Sequence, residues 1–174
     1  MKGKIILNLA MSIDGYIASE NGDYDWILGD GDSSLNTDVG HNYASFLEDI
    51  DIVLMGKNCY NQGFSNDFPA KQVFVATSEV KEDESNIHFI NNDVLNIIKH
   101  EKQKGKNIYL FGGGILIDSF IKNNAIDEYI IGIIPIILGK GKKLFLDNNP
   151  NILLHLNKYV IEDGIPLLYY VKRK

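Results

Sequence analysis

The chain has 174 residues, 45% hydrophobic and 23% charged, with a formal net charge of −6. These values describe one globular domain spanning residues 1–174, long enough to bury most of its apolar surface, and they exclude wholesale disorder. A nucleic-acid partner is disfavoured, because the basic residues form no face and their largest internal cluster is Lys140, Lys142 and Lys143.

The opening segment from Lys4 to Met11 is mostly apolar and is expected to be a central strand covered on both faces. Its apolar run is too short for a signal peptide, and no stretch reaches membrane-spanning length; Tyr129 to Leu138 is short and broken by Pro135. With Cys59 as its only cysteine, the chain suits a reducing, cytoplasmic location. Its four histidines show no metal-ligand spacing. Ser12 to Gly15 is a turn, and Tyr16 to Ala18 a short extension after it. Ser19 to Asn36, rich in Gly and Asp, is an irregular stretch of the length typical of functional loops.

Thr37 is expected to cap a helix running to about Glu48. Asp51 to Met55 is a second buried strand, ended by Gly56 and followed by a short helix from about Asn58 to Gln62. Lys71 to Ala76 and Ile87 to Ile90 are further strands; Asn92 or Asp93 caps a helix that Gly105 closes. Ile108 to Phe111 is a fifth strand, and Gly112, Gly113 and Gly114 lead into a helix to about Asn123. After it, Glu128 to Pro135, Leu153 to Val160 and Leu167 to Lys172 read as strands with no helix between them. Alternating strands and helices followed by consecutive strands predict an α/β fold, with a mostly parallel sheet carrying antiparallel strands at one edge.

Strand ends in such a sheet are where ligands bind. The glycine run would bring bare backbone to a helix N-terminus, where unpaired N–H groups and the helix dipole suit a phosphate; the alternative is a tight turn in which glycine serves only conformation. Gly56-Lys57-Asn58-Cys59 and Thr77-Ser78 follow two further strands, adding a cation and hydroxyls to the same rim. This is equipment for a dinucleotide with an extra phosphate, although the usual G-x-G-x-x-G after a first strand and the G-x-x-x-x-G-K-[ST] loop are both absent.

The ordered set Met11–Ala18, Asp25-Trp26, Val53–Tyr60, Val75–Ser78, Phe111–Gly114, Ile126–Tyr129, Pro135, Leu138–Gly141 and Leu144-Phe145 resembles the dihydrofolate reductase-like fold. Within it, the chain is most similar to the reductase domain of the bifunctional riboflavin-biosynthesis deaminase/reductase, as carried by small stand-alone bacterial proteins. The resemblance implies a three-layer architecture and NADPH as cofactor. It places Gly56, Lys57, Asn58 and Cys59 by the cofactor phosphates, with Lys57 near the adenosine 2′-phosphate. Thr77 and Ser78 would line the adenosine, Gly112, Gly113, Gly114, Ile115 and Leu116 the pyrophosphate, and Ala10 and Ile17 the nicotinamide. The family usually has arginine at Lys57 and threonine at Cys59, so the fork of a guanidinium and a hydroxyl are both missing here.

The resemblance further implies hydride transfer to a pyrimidine- or pterin-like small molecule, of the 5-amino-6-(5-phosphoribosylamino)uracil type. The alternative is a catalytically inactive NADP-binding sensor or partner protein. A carboxylate on the substrate side would supply the proton, and Asp25 and Asp30 are the candidates among many loop aspartates. Asp14, in an Asp-Gly turn, is expected to be structural. The apolar late strands, with six isoleucines between Ile130 and Ile137, predict a homodimer formed through them.

Overall fold

All but one of the strands form where the chain carries β-branched, aromatic and other apolar residues. In the computed structural model, which describes residues 3–173, these are β1 (Ile5–Ser12), β2 (Tyr16–Ala18), β3 (Ile52–Gly56), β4 (Gln72–Ala76), β5 (Ile87–Ile90), β6 (Ile108–Gly112), β7 (Glu128–Ile134), β8 (Lys142–Lys143), β9 (Leu154–Glu162) and β10 (Ile165–Lys172). Eight of them make one sheet in the order β5-β4-β3-β6-β1-β7-β10-β9, and β2 pairs with β8. From β5 through β7 every pairing is parallel; β10 and β9 are antiparallel. Ile5, Leu7, Ile52, Leu54, Ile108 and Leu110 are fully buried, as residues of strands covered on both faces must be.

Helices α1 (Tyr43–Glu48), α2 (Lys57–Asn61), α3 (Val94–Gln103) and α4 (Gly114–Lys122) cover the sheet. The handedness of the crossovers decides which face each one takes. Connections β1-α1-β3 and β3-α2-β4 run toward the β5 edge, whereas β5-α3-β6 and β6-α4-β7 run back toward β9. Right-handed crossovers running in opposite directions place their helices on opposite faces. Accordingly Phe46, Leu47 and Tyr60 pack with Val53, Val73 and Val75, while Ile98, Ile117 and Phe120 pack with Leu7, Leu54 and Leu110.

The segment from Thr37 departs from expectation. The helix starts only at Tyr43, capped by the Asn42 side chain, which accepts from the Ser45 N–H at 2.9 Å. Thr37 is spent on the sheet edge instead: its N–H donates to the Ile161 carbonyl at 3.0 Å, and its hydroxyl accepts from the Ile161 N–H at 3.2 Å. At α3 the cap is Asp93, in the left-handed region at φ 46°, and its carboxylate holds Asn96 rather than a backbone N–H. β7 lies two strands in from the β9 edge, and Ile130, Ile131 and Ile134 are 6%, 5% and 1% exposed. These three are covered within one chain and supply no argument for a partner, whereas Ile137, just beyond β7, is 73% exposed.

Candidate functional site

β1 and β6 begin as paired neighbours and then part. Their register runs Ile5↔Ile108, Ile6↔Tyr109, Leu7↔Leu110 and stops, while β1 stays with β7 as far as Ser12↔Ile134. On its other side β6 carries one extra residue against β3, the register passing from Leu54↔Leu110 to Met55↔Gly112. Such a bulge bends its strand and re-aims the residues beyond it. The chain leaves β6 through α4 on one face, and the connection from β1 to α1 goes to the other. A crevice opens between the two carboxyl ends, as at a switch point of an open α/β sheet. Its volume is about 890 Å³.

The glycines build one wall. Gly113 has φ 101°, and a Cβ there would come within 3.4 Å of Gly56 Cα and N. A Cβ on Gly112 would lie 3.1 Å from Cys59 Sγ. These two are glycine because the backbone turns and two strand ends approach closely. Gly114 differs: its φ is not positive, and a Cβ would meet only the Lys143 carbonyl at an ordinary 3.8 Å. Internal packing does not demand glycine there, and its bareness leaves the backbone open to the cleft. It is the first residue of α4, which no side chain caps, and Ile115 beside it is 85% exposed and lines the cleft. The first N–H groups of α4 are therefore available to an anion, and a dinucleotide pyrophosphate fits this wall.

A flap made of two distant segments borders the mouth. The Asp14 carboxylate accepts from the Ser12 hydroxyl at 2.7 Å and from the N–H groups of Leu138 and Gly139 at 3.1 and 2.8 Å. The Ser12 hydrogen bond, aided by these N–H groups, lowers its pKa from the ordinary carboxylate value. The Ile13 N–H donates to the Ile136 carbonyl, β2 pairs with β8, and Lys140 pairs with Glu20 at 2.8 Å. Asp14 is structural, as expected, and what it holds is the 138–139 backbone rather than its own turn alone.

The structure gathers Ala10, Ile17, Asn58, Cys59, Gly112, Gly113, Gly114 and Ile115 around the cleft. Cys59 is half-buried, and burial pushes its thiol pKa up against the opposing effect of backbone donors and Lys142. Gly56 stands behind Gly113, and Leu116 turns into the core. Lys57, Thr77 and Ser78 share the rim but do not line the cleft. Lys57 forms an ion pair with Glu79, whose N–H donates to the Thr77 hydroxyl at 3.1 Å. Asp25 and Asp30 are exposed and outside the lining. The Asp30 N–H donates to the Asp163 carbonyl in the β9–β10 turn. Trp26 is half-buried and belongs neither to the lining nor to the core clusters.

Other lining residues carry weaker sequence signals. Tyr24 and Phe64 meet as a tilted pair at 5.6 Å between centroids, and Phe64 meets Phe111 at 5.2 Å. Tyr109 donates from its hydroxyl to the Asn8 carbonyl at 3.0 Å, and burial raises its pKa well above the ordinary value. Among the described lining residues Glu20 is the one carboxylate. Among the described residues no three His, Cys, Asp or Glu side chains form a metal-holding group, and no helix is long and apolar enough to cross a membrane.

The family model of the RibD C-terminal domain matches residues 3–163. The uncharacterized protein YyaP of Bacillus subtilis (strain 168) is 31% identical over 184 residues, covering 96% of this chain and 94% of its own. A candidate riboflavin biosynthesis protein from Shewanella sp. PV-4 superposes with a TM-score of 0.81 at 29% identity, over 98% of this chain and 99% of that one. Two more distant structures share the fold. The Thermotoga maritima diaminohydroxyphosphoribosylaminopyrimidine deaminase/5-amino-6-(5-phosphoribosylamino)uracil reductase matches with a TM-score of 0.69 at 16% identity, over 99% of this chain and 57% of its own. Dihydrofolate reductase from Enterococcus faecalis, in complex with NADP(H) and RAB-propyl, matches with a TM-score of 0.67 at 15% identity, over 100% of this chain and 99% of its own. The architecture is thus dihydrofolate reductase-like.

Proposed function

The chain belongs to the RibD C-terminal domain family, a reductase-type family, and from that premise we propose that it is an NADPH-dependent reductase of a pyrimidine- or pterin-like small molecule. The observation that carries this reading is Gly114, a bare residue opening an uncapped helix in the wall of the cleft. The first N–H groups of α4 would hold the pyrophosphate, and Lys57 with Thr77 and Ser78 the adenosine end. Ala10 and Ile17 would flank the nicotinamide ring. The Asp127 N–H donates to the Ile5 carbonyl, and the Asn8 carbonyl accepts from Tyr109, so alternate β1 residues face β7 and β6. Ala10 therefore turns its N–H and C=O toward the gap where β6 has left, a free strand edge for an amide. When bound, the cofactor supplies the hydride.

Proton delivery is the task of a group at the substrate. Asp25 and Asp30 would have to swing inward from the surface to reach it. Glu20 already lines the cleft, paired with Lys140 and open to solvent, and can relay a proton from water. The outward position of both aspartates is also what favours the second reading, an inactive NADP-binding protein of this fold. Incubation with NADPH and a panel of ribosylamino-pyrimidines and pterins, followed by nicotinamide absorbance, separates the two. Substrate-dependent loss of absorbance is expected; binding of NADPH with no turnover on any compound would favour the inactive reading.

A further inference from the structure

β3 and β4 run side by side in parallel register, with Gly56 opposite Ala76. The residues that leave them, Lys57 at the start of α2 and Thr77 after β4, are therefore neighbours on the rim. The Thr77 N–H donates to the Ile90 carbonyl at 3.0 Å, which holds this turn to the sheet. The Thr77 hydroxyl accepts from the Glu79 N–H at 3.1 Å, and the turn so closed brings the Glu79 carboxylate back onto the Lys57 ammonium. The hydrogen bond and charge of Lys57 lower the Glu79 pKa, so the carboxyl is ionised at neutral pH. The two side chains are 39% and 51% exposed, so the pair is open to a ligand and contributes little to folding. The other cation acting on Glu79, Lys81, lies over the rings of Tyr60 and Phe89 at 5.1 and 4.9 Å.

Dinucleotide sites tell the two nicotinamide cofactors apart at the adenosine ribose. A carboxylate accepts from a free 2′-hydroxyl, and a cation meets a 2′-phosphate. This rim carries one of each, already bonded to each other. We infer that Glu79 is the residue that sets cofactor choice, its carboxylate opposing the 2′-phosphate that Lys57 attracts and accepting from the 2′-hydroxyl of NADH, so that the cleft takes NADH as well as NADPH. The inference rests on the reductase reading and goes beyond it to the choice of reductant. Lysine sharpens the conflict. Its charge sits on one nitrogen, so carboxylate and phosphate would crowd round the same atom, whereas a guanidinium could turn a separate edge to each. A carboxylate about 5 Å from a phosphate dianion weakens its binding roughly tenfold even at the dielectric of water.

Calorimetric titration of NADPH and of NADH tests this with wild type, Glu79→Gln and Glu79→Ala. The wild type is expected to bind both cofactors. In both variants NADPH should bind roughly tenfold more tightly, while NADH holds or weakens severalfold. Their melting temperatures should stay within a few degrees of the wild type, because an exposed ion pair stabilises little. A role confined to shaping the turn would move both cofactors together, so the ratio of the two affinities is the deciding readout. Wild-type protein that binds NADPH but not NADH at millimolar concentration overturns the inference. So does a folded Glu79→Gln variant in which the ratio is unchanged. Wild-type protein that binds neither cofactor instead overturns the reductase reading beneath it.

Discussion

Gly113 and Gly114 are adjacent, yet they make different demands on substitution. Valine at Gly113 would be strained by a φ of 101° and would press on Gly56, so lost binding there would not separate cofactor contact from local collapse. Gly114 tolerates a side chain internally. Gly114→Val is expected to keep the melting temperature within a few degrees while weakening NADPH about tenfold or more, as titration of both proteins would show. Equal affinity would remove the pyrophosphate from this wall. Lys57 makes a second prediction. Its partner Glu79 must yield if a 2′-phosphate is to reach the ammonium. Lys57→Ala should weaken NADPH by roughly 1.5–3 kcal/mol, ten- to a hundredfold, and NADH much less. Parallel losses for both cofactors would place the 2′-phosphate elsewhere.

Among the elements, the flap and an edge strap, residues 37–41 held to β9 by Thr37 on Ile161 and by the His41 N–H donating to the Glu162 carboxylate, are long-range assemblies with separate tests. Asp14→Ala removes the acceptor that joins the β1–β2 turn to residues 138–139. Faster amide exchange is expected in both segments while the β1–β7 ladder stays protected; exchange unchanged at residues 138–139 would contradict the clasp. In the strap, His41 Nδ1 lies 2.6 Å from the Tyr169 hydroxyl, and burial pushes its pKa down, opposed by Glu162 and aided by Lys158. A base whose folded pKa lies below its unfolded value of about 6.5 binds protons better when unfolded. Its contribution to stability is complete above pH 6.5 and is lost as pH falls through the folded value. The melting temperature should fall between pH 7 and pH 5, and His41→Gln should flatten that slope. An identical slope in the variant would contradict the assignment.

These same elements show what a sequence discloses. The strands of the main sheet were legible because their apolar runs are continuous and bounded by turn residues, and the glycine run marked the cleft wall. The start of α1 was not, because Thr37 and Asn42 are both competent caps and a tertiary contact to Ile161 decides between them. β8 is two lysines, a strand only because β2 lies beside it. Asn8 reads as one polar residue in an apolar strand, and only the three-dimensional structure shows its Nδ2 buried without a partner among the described residues.

For the whole molecule, the edge of the sheet raises the question of association. β7 is an inner strand, whereas on and beside the edge strand β9 Leu153, Leu156 and Tyr159 are 67%, 43% and 58% exposed. We propose that this edge pairs with a second copy of the chain, the commonest arrangement among homo-oligomers. Sedimentation at micromolar concentration should give a mass near twice 19.6 kDa; a single species at the monomer mass would remove the dimer. The central claim, that the crevice between β1 and β6 is a cofactor cleft, is tested most directly by calorimetric titration of NADPH into the wild-type protein. Saturable binding of one NADPH per chain is predicted. No saturable binding at millimolar NADPH, by a folded protein, would contradict the account.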